Sequence, residues 1–188
     1  MSSADPRKRL RDIVAGRSLL KGTDIKLASG ASSSFYFDMK RTAFDAEGLN
    51  LIAQLMLEKL EGQAVDYVGG LEMGAVPLVA ALCQASWGKR TPPLKGFFVR
   101  KQPKDHGTRR LIEGLLADES LRGRRVALIE DVTTTGDSAF RAVAAAREDG
   151  AVCELVLTIV DRREGAAANL AAKGLKLLPL LTRADFEV

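Results

Sequence analysis

RVALIEDVTTTGDSAFRA, residues 125–142, opens on four apolar residues after Arg125: Val126, Ala127, Leu128 and Ile129. Two carboxylates follow at once, Glu130 and Asp131, and then Val132, Thr133, Thr134, Thr135, Gly136, Asp137 and Ser138. The Ala-rich run AFRAVAAARE comes after them. The apolar run predicts a buried strand and the Ala-rich run a helix over 137–149, joined by a short hydroxyl-rich link. Such a link aims backbone N–H groups and hydroxyls at a helix N-terminus, where an anion is favoured. The carboxylates are expected at the carboxyl end of the strand, where open α/β sheets bind ligands. Acidic groups beside an anion cradle are consistent if the ligand is a sugar phosphate. The carboxylates then take ribose hydroxyls or a hydrated Mg²⁺, and the loop takes the phosphate. The plainer reading of the loop alone is a βα turn capped by Thr135 or Asp137.

The same ten residues, Ile129 to Ser138, resemble without a gap the 5-phosphoribosyl 1-diphosphate (PRPP) motif of the type I phosphoribosyltransferases. That motif is an apolar strand, two acidic residues, an apolar residue and a Thr/Gly/Ser-rich loop.

Composition sets outer bounds. The chain has 188 residues, 46% of them hydrophobic and 28% charged, which suits one globular domain with a real core. Lys and Arg number 28 against 24 Asp and Glu, a bias too weak to imply nucleic acid. Basic residues cluster only at 100–110. Cys83 and Cys153 fall in apolar stretches without metal-ligand spacing, and read as reduced core residues of a cytoplasmic protein. Neither a secretory signal nor a membrane-spanning apolar run is visible.

Outward from the central stretch, the chain alternates strands and helices. Residues 5–21 predict an amphipathic helix with Asp5 as N-cap and Pro6 at its first position. Residues 24–41 predict a β-hairpin with a Ser/Gly turn, Phe35 and Phe37 alternating with polar neighbours. Residues 44–61 predict a helix and 65–69 a strand, followed by the Gly-rich turn 69–77 and a second helix over LVAALCQASW. A strand is predicted at 96–100. It runs into Arg100, Lys101, Gln102, Pro103, Lys104, Asp105, His106, Gly107, Thr108, Arg109 and Arg110, which reads as a mobile surface loop. Its charge suits either a polyanionic ligand or plain solvation. Beyond the central helix come a strand at 153–161, nearly all apolar and so buried on both faces, a short helix at 166–173 and a last strand at 175–181.

Three of these stretches resemble the orotate phosphoribosyltransferases. Leu27, Ser29, Gly30, Ser33 and the run Phe35-Tyr36-Phe37-Asp38 match that family's amino-terminal hood. Arg100-Lys101-x-x-Lys104-x-His106-Gly107 matches its catalytic loop, and Arg162 aligns with an Arg that binds the orotate carboxylate. Some members carry Lys where this chain has Ala28 and Met73; Lys40 and Arg41 stand close after the aromatics. By itself the aromatic hairpin also reads as a plain core hairpin.

The resemblance implies the type I phosphoribosyltransferase fold: an α/β domain over 1–188, with a mostly parallel sheet flanked by helices over 44–181. A small β-hairpin hood covers mainly 20–42. It implies transfer from PRPP to orotate, giving orotidine 5′-monophosphate and pyrophosphate, with Mg²⁺. Arg100, Lys101, Lys104, His106 and Asp131 become the catalytic set. PRPP contacts come from Arg100, Lys101, Lys104, His106 and all of Glu130 to Ser138, and orotate contacts from Phe35, Tyr36, Phe37, Thr134 and Arg162. No protein side chain is assigned as a direct ligand of the metal, which rides on PRPP near Glu130 and Asp131. The family further implies a homodimer with shared sites, and neither nucleic acid nor membrane as partner. A transferase for another base, or a regulator that senses PRPP while binding nucleic acid, are the alternatives. The first predicts no Arg162 equivalent; the second predicts a large basic face.

Overall fold

The computed structural model describes residues 5–26, 32–102 and 111–188, with the backbone alone for 23–26 and 32. Helix α1 spans Pro6–Arg17, and Asp5 caps it by accepting the Arg7 N–H at 2.9 Å. It ends four residues earlier than its apolar spacing suggests. Leu19 and Leu20 belong instead to strand β1, Leu19–Lys26, opposite Phe37 and Tyr36 of β2, Ser32–Phe37. The N–H of Ser18 closes the helix on the Val14 carbonyl, and Ser18 takes the Asp38 N–H on its own carbonyl as the hairpin begins. A one-turn helix α2, Lys40–Ala43, and helix α3, Ala46–Lys59, follow.

Strand β3 is Tyr67–Gly69, helix α4 is Ala75–Ser86 and strand β4 is Lys95–Gly96. The expected strand at 96–100 is two pieces. β4 joins the main sheet, whereas β5, Phe98–Val99, pairs antiparallel with β6, Ile112–Glu113. Between them Phe97 turns its ring into the core at 2% exposure. Then come β7, Arg125–Thr133, helix α5, Asp137–Glu148, β8, Val152–Asp161, helix α6, Ala166–Ala171, and β9, Lys176–Thr182.

The main sheet has five parallel strands in the order β4-β3-β7-β8-β9. Its middle strands are buried on both faces, so their residues are apolar without alternation. In β7, Ala127 and Ile129 pack with α3, α4 and the hairpin, while Val126 and Leu128 pack with α5 and α6. Phe35 and Phe37 enter the first of these clusters, which fastens the hairpin to the sheet.

β7 is longer than the apolar run alone predicts. It continues through both carboxylates to Thr133, because β8 runs alongside and pairs Glu130 with Thr158 and Thr133 with Asp161. The order also fixes where a ligand can bind. From β3 the chain crosses outward to β4, and from β7 it crosses the other way to β8. The crevice between the carboxyl ends of β3 and β7 is therefore the topological switch point.

Candidate active site

Two loops meet at that crevice. The first, after β3, lies so close to β7 at Gly70 and Gly74 that neither position admits a side chain. A Cβ on Gly70 would stand 2.3 Å from the Ile129 carbonyl oxygen, and one on Gly74 would stand 2.8 Å from the Asp131 carboxyl carbon. Glycine is therefore what lets this backbone reach the acidic pair. The second loop, Thr134 to Gly136, leads into α5. Gly136 precedes the helix in a left-handed conformation, φ 95°, and no side chain caps it. Neither Thr135 nor Asp137 acts as the cap: the Thr135 hydroxyl donates to the Asp137 carboxylate at 2.8 Å. Among the described residues no side chain caps the N-terminal N–H groups of α5. β8 and α6 hold this loop from behind. Ala166 N–H donates to the Thr134 carbonyl at 3.0 Å, and the Asn169 amide donates to the Thr135 carbonyl at 2.9 Å.

The two carboxylates differ. Glu130 is buried at 6% exposure, and its Oε1 has no hydrogen-bond partner among the described residues. Burial, with the adjacent Asp131 charge, pushes its carboxyl up to about 8, against the opposing pull of Lys101. Asp131 is half-buried and also raised by burial, opposed by the Val132 N–H, which donates to it at 2.8 Å, and by the charge of Lys40. Lys40 is itself ion-paired with Asp38 at 2.6 Å, and Asp38 is lowered by that bond. The hairpin's exit thus faces a cation toward the acidic pair. Thr133 is buried and its hydroxyl has no partner among the described residues, Val132 and Thr134 are half-buried, and Thr135, Asp137 and Ser138 border the same loop.

The basic segment begins beside the first loop. Lys101 N–H donates to the Glu72 carboxylate at 2.8 Å, and Arg141 of α5 donates to the Lys101 carbonyl at 3.0 Å. Arg100 donates from Nε to the Gln102 carbonyl at 3.2 Å, and its Nη1 lies 4.0 Å from Glu113. Arg100 and Lys101 are thereby tied to the site. Lys104 and His106 lie outside the described residues, as do Leu27, Ala28, Ser29 and Gly30.

At the end of the neighbouring strand β8 sits Arg162, 5% exposed. Its guanidinium covers the Phe35 ring with Cζ 4.4 Å from the centroid. The Phe35 and Phe37 rings point inward, edge to face at 5.8 Å, and Phe37 leans on Phe186 at 5.0 Å. Both rings therefore pack within the core. What β2 can offer a ligand is its backbone and the half-buried Tyr36.

Sequence reading missed several supports: Glu72 and Arg141 on Lys101, Asn169 on the loop before α5, and Glu164, which contacts Arg162 at 2.8 Å. Each is a lone polar residue whose partner is distant in sequence or across a turn, so no spacing signals it. Among the described residues no cluster of three or more His, Cys, Asp or Glu could hold a metal. A hydrated divalent ion brought by a ligand still fits, since Asp131 and the orphaned Glu130 oxygen beside it offer acceptors for its water shell without full coordination.

No family model matches the chain. It is 53% identical over 186 residues to the orotate phosphoribosyltransferase of Rhodopseudomonas palustris (strain TIE-1), covering 99% of this chain and 98% of that protein. The orotate phosphoribosyltransferase of Aquifex aeolicus is 42% identical over 176 residues, 93% of each. Among solved structures, Mycobacterium tuberculosis orotate phosphoribosyltransferase with Fe(III) dicitrate superposes with a TM-score of 0.84 at 36% identity, covering 98% of this chain and 100% of that one. The same enzyme in complex with PRPP gives 0.79 at 34% identity, covering 96% and 98%.

Proposed function

The chain belongs to the orotate phosphoribosyltransferase family, and from that premise we propose how its own residues share the work. The reaction passes the 5-phosphoribosyl group of PRPP to orotate, yielding orotidine 5′-monophosphate and pyrophosphate in pyrimidine biosynthesis. It needs no strong protein nucleophile. The ribose carbon passes through an oxocarbenium-like state while pyrophosphate departs, so the protein must align the partners, neutralise the leaving group and exclude water.

Glu130 and Asp131 hold the ribose hydroxyls. Val132, the hydroxyls of Thr133, Thr134, Thr135 and Ser138, the backbone of Gly136 and Asp137, and the N-terminus of α5 hold the 5′-phosphate. Arg100, Lys101, Lys104 and His106 neutralise the pyrophosphate, with the glycine loop 70–74 beneath it. The β2 backbone at Phe35–Phe37, with Tyr36, Thr134 and Arg162, receives the base. Arg162 takes the orotate carboxylate, for which a planar guanidinium offers two parallel donors. Mg²⁺, bound with PRPP beside Glu130 and Asp131, would supply charge neutralisation on the diphosphate. The observation that carries this reading is the buried Glu130 carboxylate at the switch point, whose Oε1 has no partner among the described residues, next to an anion-ready helix terminus.

The decisive assay follows the loss of orotate absorbance on adding PRPP and Mg²⁺, against adenine, hypoxanthine and uracil as rival bases. Turnover of orotate alone is expected; equal turnover of another base would overturn the assignment of Arg162. The proposal includes a cytoplasmic homodimer in which Lys104 and His106 reach the partner's site. Mixing inactive Lys104→Ala and Asp131→Ala proteins should then restore partial activity after subunit exchange. Heterodimers proven by mass spectrometry yet inactive would exclude shared sites.

A further inference from the structure

Arg162 is not an open receptor. Its Nη2 donates to Ser33 Oγ at 3.2 Å and is ion-paired with Glu164 Oε1 at 2.8 Å, while its buried Nε has no partner among the described residues. Its guanidinium shares the Phe35 ring with Arg183, whose Cζ lies 4.9 Å from the centroid. Glu164 reaches back across a single residue because Arg163 adopts a left-handed conformation, φ 58°. A non-glycine residue in that region stores backbone strain, and such strain persists where surrounding contacts demand it.

The hydrogen-bond geometry sets up a competition. A carboxylate that binds the guanidinium edge carrying Nε must also use Nη2. Nη2 already donates to Ser33 and has the Glu164 carboxylate 2.8 Å away, so an arriving carboxylate that satisfies Nε enters the space and the charge held by these two groups. Ser33 is neutral, and its hydroxyl already donates to the Phe35 carbonyl at 2.8 Å. Glu164 is the charged rival, and two carboxylates on one guanidinium repel each other. Glu164 can also leave cheaply: its side chain is 36% exposed, so it moves into water rather than into the core.

We propose that Glu164 is an internal stand-in for the carboxylate of the substrate base. It holds Arg162 flat on Phe35 while the site is empty, and yields its place when orotate arrives. Glu164 is thus a positioning and selectivity residue, and this role rests on the reading that Arg162 receives the orotate carboxylate. A base without a carboxylate meets an Arg162 already neutralised, and gains nothing by displacing its partner. Orotate gains the contact, less the cost of the exchange.

The test is steady-state kinetics on the full chain, comparing Glu164→Gln and Arg162→Ala with the parent protein. Gln keeps the size and one acceptor but loses the competing charge. The orotate KM of Glu164→Gln is expected to fall about three- to tenfold, with kcat and the PRPP KM within about twofold, as removal of a charge-assisted competitor predicts. A raised orotate KM would make Glu164 a mere support for Arg162, and an unchanged one would make it a bystander; either overturns the stand-in role. Arg162→Ala separates the two levels. If it raises the orotate KM while Glu164→Gln does nothing, only the stand-in fails. If it leaves the orotate KM unchanged, the carboxylate contact itself is wrong.

Discussion

At the end of β7 a carboxylate is buried with an oxygen that has no partner among the described residues; at the end of β8, the next strand over, a guanidinium is buried between an aromatic ring, a hydroxyl and a second carboxylate. The difference follows from what each group can do with its proton. A buried Glu can take one up and become neutral, and Glu130 moves in that direction, to about 8. An Arg cannot discard its charge in a protein, so an Arg162 buried without a counterion would be ruinous. The acidic strand end can therefore stand bare until a ligand arrives, whereas the basic one must be furnished in advance.

That contrast can be broken most forcefully at Asp131. Asp131→Asn should retain the fold, since a half-buried strand-end polar group contributes little packing, and should lose turnover by roughly a hundredfold or more as ribose positioning fails. Circular dichroism and kcat measured on the same preparation check both halves; near-normal turnover would remove the acidic pair from the chemistry. Arg162→Ala comes next. Loss of a charge-assisted bidentate contact is expected to cost on the order of 2–3 kcal/mol in orotate binding, with PRPP binding little changed. Equal weakening of both substrates, read from the two KM values, would mean that the strand ends do not divide the labour.

A third experiment reads the bare carboxylate by pH. Between the ordinary Glu value of 4.5 and about 8, folded Glu130 keeps a proton that the unfolded chain has lost. The unfolded state then binds fewer protons, so Glu130 lowers stability as pH rises through that window, and its effect levels off above it. Glu130→Gln does not titrate. Its stability relative to the parent should grow by on the order of 1–3 kcal/mol from pH 5 to pH 9 in urea unfolding. A difference that stays flat with pH would mean that Glu130 is ionised in the folded protein throughout. The smallest effect is expected behind the phosphate loop. Asn169→Ala removes one amide hydrogen bond to the Thr135 carbonyl and should raise the PRPP KM only a few-fold, about 1 kcal/mol. An unchanged PRPP KM would show that the loop needs no such prop.

The sequence was readable where one short stretch carried a whole element. The run Val126–Ile129 announced a buried strand, and the Thr-rich link announced a helix start, because both depend on neighbours in the chain. Where tertiary pairing decides, it was not. Leu19 and Leu20 continue a helical spacing, yet pairing with Phe37 and Tyr36 claims them for β1. Glu130 to Thr133 belong to β7 because β8 is long enough to pair with them. The inward rings of Phe35 and Phe37 and the grip of Glu164 on Arg162 depend on which face of a strand meets the core, and alternation alone leaves that face unassigned.

The two-stranded ladder of β5 and β6 bears on how this protein tolerates change. Phe98 faces Glu113, Val99 faces Ile112, and Arg100 N–H closes the pair on the Leu111 carbonyl at 2.8 Å. Both ends of the basic segment are thereby clamped before the chain returns to β7. For a flexible connection between two fixed ends, each doubling of length costs only about 0.6 kcal/mol in closure entropy. Insertions there would leave the register of the parallel sheet untouched, so the reach of the segment can drift between lineages, or be tuned by an engineer, without remaking the domain that carries it.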